Sequence, residues 1–91
     1  MKNRGKDEIT AAILESCSEP MTRSKIMYNT MLNFAQVNNY SFMLVKDELL
    51  KAIPMDKTFV ITDKGKKYLE LYKELKLISS ADVITITDER K

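Results

Sequence analysis

Between positions 7 and 17 the apolar residues Ile9, Ala12, Ile13 and Cys17 recur at steps of three and four, the stripe of an amphipathic helix. Ser18, Glu19 and Pro20 end that pattern. Thr22 then offers a hydroxyl that can accept from the free amides of a following turn, which predicts a second helix over residues 23–29 with Ile26 and Met27 inward and Tyr28 near the next turn. Asn33 is another N-cap candidate, and residues 34–50 contain neither Gly nor Pro, so they are expected to form one continuous helix of about four turns. At 100° per residue Val37, Tyr40 and Leu44 share one side of it, while Asn38, Asn39, Phe42 and Lys46 project from the other. Two helices joined by the few residues 30–32, the second of them longer, have the layout of a helix-turn-helix.

The period changes after Lys51. Thr58, Phe59, Val60 and Ile61 are β-branched or aromatic and predict a strand, Met55-Asp56-Lys57 a turn, and residues 50–53 a short partner strand with Pro54 at its exposed end, where a missing amide donor is tolerated. Thr62 can cap a closing helix whose first residue, Asp63, suits the positive end of the macrodipole. Gly65 costs that helix about 1 kcal/mol relative to Ala, so close backbone packing is its expected justification. Tyr68, Leu69, Leu71, Tyr72, Leu75 and Ile78 carry more apolar surface than so small a domain can cover, so part of it needs a partner. Beyond Ser79-Ser80 the alternating Val83, Ile84, Thr85, Ile86 and Thr87 fit a late strand.

The expected fold is mainly α with a small β-hairpin, in the order α-α-α-β-β-α of a winged helix-turn-helix, with a C-terminal dimerisation helix. Residues 1–6, with Lys2, Arg4 and Lys6, form a basic N-terminal arm; residues 7–61 the winged helix-turn-helix; residues 62–80 the dimerisation helix; and residues 81–91 a tail that fits a strand.

A chain of 91 residues has material for one core, and 44% hydrophobic with 31% charged residues, two Gly and two Pro describe a folded, helix-rich domain. No apolar run approaches the roughly 18 to 20 residues a membrane span needs, which leads to the expectation of a cytoplasmic protein. Cys17 is the single cysteine and there is no histidine, so it has neither a disulfide partner in the chain nor an imidazole to join it at a metal, and it is expected to be a small buried residue. The chain also lacks a Gly-rich phosphate loop, and its carboxylates are scattered over solvent-facing positions. No enzyme activity, cofactor or small-molecule substrate is expected.

The net charge of +2 says little, but its distribution says more. Asp7, Glu8, Glu15 and Glu19 make the first helix acidic, whereas no acid occurs between Glu19 and Asp47, a stretch that holds Arg23, Lys25 and Lys46; Lys64, Lys66 and Lys67 form a second basic cluster. Such a split field can orient a protein on a polyanion. The second helix of a helix-turn-helix suits the major groove of DNA, and there Gln36, Asn38 and Asn39 have carboxamides that pair with adenine, Phe42 can touch a thymine methyl, and Lys46 a phosphate. The same residues also fit an ordinary solvated helix face, and Phe42 an apolar contact elsewhere in the domain or dimer. Arg23, Ser24 and Lys25 open the second helix, where positive charge and free amides favour phosphate, and Lys57 at the wing tip can reach the backbone. Tyr68, Leu71, Tyr72, Leu75 and Ile78 recur at the 3.5-like spacing of a dimer seam.

Three blocks of residues carry a family resemblance over about residues 7 to 76. They are Ala-Ile-Leu-Glu-Ser-Cys at positions 12–17; Thr22-Arg23-Ser24-Lys25-Ile26-Met27-Tyr28 followed by Leu32, Tyr40 and Leu44; and Ile61-Thr62-Asp63-Lys64-Gly65 leading to Tyr68-Leu69. Together they resemble the archaeal winged-helix family that includes the small dimeric Sulfolobus 10a-type chromatin proteins. The resemblance implies DNA binding through the third helix and the wing, and dimerisation through the last helix as an antiparallel coiled coil. The expected function is double-stranded DNA binding as a nucleoid-associated homodimer, either organising chromatin or regulating transcription. The rival expectation is a protein-protein interaction module that does not touch DNA, because winged helices serve both ends.

Overall fold

The computed structural model describes residues 5–89, and the side chains of residues 5–78. In chain order the elements are α1 Lys6–Ser16, β1 Met21–Thr22, α2 Arg23–Thr30, α3 Phe34–Lys46, β2 Leu50–Ile53, β3 Thr58–Ile61 and α4 Asp63–Glu89. This is the expected winged-helix order with one strand added. Of the expected basic arm, Lys2 and Arg4 lie outside the described residues and Lys6 is already the first residue of α1.

α1 opens with Asp7 and Glu8 in its first turn, where the macrodipole favours negative charge, and Glu8 Oε1 accepts from the Gly5 amide at 3.4 Å. Ile9, Ile13, Leu14 and Cys17 go into the core. Ile26 of α2, Val37 and Leu44 of α3, Leu50 of β2, Phe59 and Ile61 of β3, and Leu32 and Leu49 from the connections complete it, so every element up to β3 except β1 contributes a buried apolar side chain. Met21 of β1 and Tyr68 and Leu69 of α4 pack against this cluster from the outside.

The sheet has three antiparallel strands in the order β1-β3-β2. β2 and β3 pair from Leu50↔Ile61 to Ile53↔Thr58, and the turn between them closes with the Lys57 amide donating to the Pro54 carbonyl at 3.2 Å. Lys57 sits there in the left-handed region, φ 55°. β1 is only two residues long and pairs Met21 with Phe59 and Thr22 with Thr58. The hairpin expected from the sequence is thus the larger part of a sheet whose third strand ties the start of α2 to the wing.

α3 ends at Lys46, short of the expected residue 50. Glu48 turns into the left-handed region at φ 66°, its amide donates to the Val45 carbonyl at 3.0 Å, and the Leu49 amide reaches back to the Leu44 carbonyl at 2.8 Å. This pair of bonds is a Schellman motif, and its companion apolar residues, Leu44 and Leu49, are both buried. The stop was hidden in the sequence because a glutamate, not a glycine, takes the left-handed position.

Thr62 makes the cap expected of it: Oγ1 accepts from the Gly65 amide at 2.9 Å and its hydroxyl donates to the Glu48 carbonyl at 2.7 Å. Gly65 is buried, and a Cβ at this position would collide with the Leu49 carbonyl oxygen and lie 2.7 Å from Ile61 Cγ1. α4 then runs to Glu89, so the late strand expected over residues 83–87 is helix instead. β-branched residues disfavour a helix by less than about 1 kcal/mol each, and extending a helix that is already nucleated needs no new nucleus. At 27 residues α4 is about 40 Å long, against about 16 Å for the 11-residue α1 on which it packs. Lys73 pairs with Glu15 at 3.1 Å across that contact, and Lys76 approaches Glu8 at 4.0 Å.

The crowding at Gly65 makes a direct prediction. Gly65→Ala should destabilise the protein by about 1–3 kcal/mol, because the obstructing atom belongs to the backbone and cannot rotate away. Thermal unfolding followed by circular dichroism checks this, and an unchanged midpoint would show that α4 does not press against Leu49 as described.

Candidate nucleic-acid interface

Three elements meet around one open depression, lined by Arg23 of α2, Asn38, Asn39, Phe42 and Val45 of α3, and Ala52 and Phe59 of the wing. The sheet brings them together: β1 delivers Arg23 beside β3, and the Arg23 guanidinium lies over the Phe59 ring, 5.1 Å from its centroid. An exposed cation over an aromatic ring is worth roughly 0.5–1 kcal/mol, enough to bias the rotamer of a long side chain. Ser24 and Lys25 are exposed on the same first turn. The Lys25 amide is already taken by Thr22 Oγ1 at 3.2 Å, so an anion at this turn would be met mainly by the two basic side chains.

On α3, Asn38, Asn39, Phe42 and Lys46 are all exposed, and Phe42 leaves 71% of its surface open. Among the described residues neither asparagine carboxamide has a hydrogen-bond partner in the chain. Gln36 is different. It is half-buried, its amide donates to Asn33 Oδ1 at 2.8 Å, and its own Oε1 accepts from the Asn33 amide at 3.1 Å. That reciprocal capping box holds the start of α3, so the Gln36 side chain has a partner within its own helix, unlike the two asparagine carboxamides that project. Lys57 is exposed at the wing tip. Phe59, Ala52 and Val45 were not singled out from the sequence; the signal that would have found Phe59 is its pairing with Met21, which a two-residue strand does not advertise.

The stripe on α4 divides in two. Tyr68 and Tyr72 are half-buried, and the Tyr68 hydroxyl donates to Asp7 Oδ1 at 3.4 Å; burial raises the Tyr68 phenol above its ordinary value, with the negative charge of Asp7 adding to the effect. Leu71, Leu75 and Ile78 remain 53%, 66% and 55% exposed. An apolar depression formed by Tyr68, Leu71, Tyr72 and Leu75 opens beside Asp7.

Cys17 is fully buried at the end of α1, and burial pushes its thiol up to about 12. No group of three or more acidic, cysteine or histidine side chains among the described residues is placed to hold a metal ion, and none of the described helices is long and apolar enough to cross a membrane.

Such a helix-turn-helix, with a hairpin beside its second helix, defines a winged-helix protein. A winged helix-turn-helix family model matches residues 3–80, and the chain belongs to that family. The crystal structure of Sso10a-2, a DNA-binding protein from Sulfolobus solfataricus, is similar to it throughout: TM-score 0.77, 24% sequence identity, covering 94% of this chain and 92% of that one. No curated protein sequence matches the chain. The family and the structural neighbour agree with the resemblance carried by the three sequence blocks.

The capping role of Gln36 is testable apart from any ligand. Gln36→Ala should lower stability by about 0.5–1 kcal/mol through loss of the box, in thermal or urea unfolding. A variant as stable as the parent would return Gln36 to the exposed, projecting set.

Proposed function

We propose that this protein binds double-stranded DNA as a homodimer, with α3 in the major groove, the wing tip and the start of α2 on the backbone, and α4 joining two copies. The observation that carries the reading is the convergence of Arg23, Asn38, Asn39 and Phe42 on one depression next to the wing. An α-helix fits the major groove, where exposed carboxamides and an aromatic face base edges while flanking cations meet phosphate. The structural neighbour described as a DNA-binding protein supports the same reading. The work done on DNA would be chromatin organisation or transcriptional regulation, without a cofactor or a catalytic step, in the cytoplasm on the nucleoid.

For the dimer, the supporting observations are the uncovered Leu71, Leu75 and Ile78 and a helix long enough for a partner to lie along it. An antiparallel α4 pair would cover this seam and set the distance between two copies of α3. The modest net charge and the apolar surface left on α4 also suit a module that docks on another protein, and salt separates the two readings.

Phosphate-led binding should weaken steeply with salt, with a log-log slope of about −0.9 per phosphate neutralised. The double variant Arg23→Ala/Lys25→Ala should bind every duplex more weakly than the parent in fluorescence-anisotropy titrations, its slope shallower by about 1 for each phosphate no longer neutralised. Affinity equal to that of the parent at all salt concentrations would remove α2 from the interface.

Leu71→Glu/Leu75→Glu should turn a dimeric parent into a monomer in sedimentation equilibrium, because two carboxylates would face an apolar seam. A parent that sediments as a monomer would end the dimer proposal.

A further inference from the structure

Resting on the DNA-binding reading, we infer that the face of α3 selects A·T base pairs, and that Phe42 does so by covering thymine methyl groups in the major groove.

From Phe34 to Val45, α3 carries no charged residue. Guanine is read in the major groove chiefly by Arg or Lys reaching its two acceptors, and cytosine by a carboxylate accepting from its amino group. The first three turns of this helix have neither kind of side chain, and the one cation, Lys46, sits in the last turn. What α3 does present in the depression beside the wing is two carboxamides, each able to donate to adenine N7 and accept from its N6 amino group, and the phenyl ring of Phe42. Asn38 and Asn39 are exposed and, among the described residues, unpartnered within the chain, whereas the third carboxamide, Gln36, is held by the cap of its own helix.

Phe42 is not shielded by its neighbours. It lies one turn beyond Asn38 and Asn39 in the same depression, with 71% of its surface open to solvent. The thymine C5-methyl is the apolar group a base pair offers in the major groove, and it belongs to the partner of the adenine that a carboxamide would read. Carboxamides and phenyl ring therefore ask for the two halves of the same base pair. Arg23, lodged on Phe59 at the rim, supplies a cation beside the groove without taking a place on the reading helix.

Removing a methyl group from such a contact gives up about the transfer free energy of one carbon, a factor of three to five in affinity. The test is a set of titrations at fixed low salt: parent and Phe42→Ala, each with an alternating A·T duplex and with the same duplex carrying deoxyuridine for thymine, and the parent also with a G·C duplex. Phe42 is exposed, so its replacement should leave the fold intact, which the circular dichroism spectrum verifies. The parent should lose about three- to fivefold for each contacted methyl on the uridine duplex, and Phe42→Ala should be indifferent to the exchange. A G·C duplex of equal length should bind the parent more weakly than the A·T duplex. Equal parent affinity for the thymine and uridine duplexes, or a Phe42→Ala variant as sensitive to the exchange as the parent, overturns the methyl contact while leaving DNA binding in place. No binding to any of the three duplexes would overturn both.

Discussion

The backbone of α4 presses against the carbonyl of Leu49, and this contact organises most of the molecule. Leu49 is the residue at which α3 has just ended and β2 is about to begin; its carbonyl accepts from the Thr62 amide at 3.1 Å, where β3 has ended and α4 begins. Thr62 ties Glu48 to Gly65, and the Ile61 amide donates to the Cys17 carbonyl at 2.8 Å, which brings in the end of α1. The ends of α1, α3 and β3 and the start of α4 are thus joined by hydrogen bonds at one place, and Gly65 is there because no side chain fits. The angle of α4, the seat of the wing and the exit of α3 are set together, so a face built from α3 and the wing is held in a fixed relation to the helix proposed to join two copies.

Charge is kept apart from the face proposed to read bases. The residues able to meet phosphate, Arg23, Lys25, Lys46 and Lys57, stand at a helix start, a helix end and a turn, whereas the middle of α3 is uncharged. Two acids of α1, Glu8 and Glu15, face lysines of α4, an arrangement that engages part of the negative charge within the domain. At exposures near one half these pairs contribute little to stability, so their significance lies in the placement of charge. A small net charge is therefore compatible with a polyanion partner, since only the local field at the contact face steers the encounter.

Much of this was legible in the residues. The 3.6-residue stripes of α1 to α3, the caps Thr22, Asn33 and Thr62, the strands 50–53 and 58–61, and the reason for Gly65 all follow from local rules that the fold obeys. What was not legible depended on long-range or unusual backbone. β1 exists only because Met21 and Thr22 find β3 across the chain, and α3 stops early because Glu48 accepts a left-handed conformation that local rules assign to glycine. The last turns of α4 override a β-branched pattern by continuing an established helix. At the site, the exposed row of α3 was legible from its period, but the capture of Gln36 by its cap and the ring contact of Arg23 with Phe59 were not, since both depend on side chains finding partners after the helices are placed.

If DNA lies on this molecule as proposed, it lies on one contiguous face, made from the start of α2, the outer row of α3 and the wing tip. Backbone amide shifts followed by NMR during titration with a short duplex at low ionic strength test this residue by residue. Shifts should concentrate at positions 23–25, 38–46 and 57 and leave α1 unmoved. Shifts centred on α4 or α1, or a spectrum unchanged by saturating duplex, would contradict it.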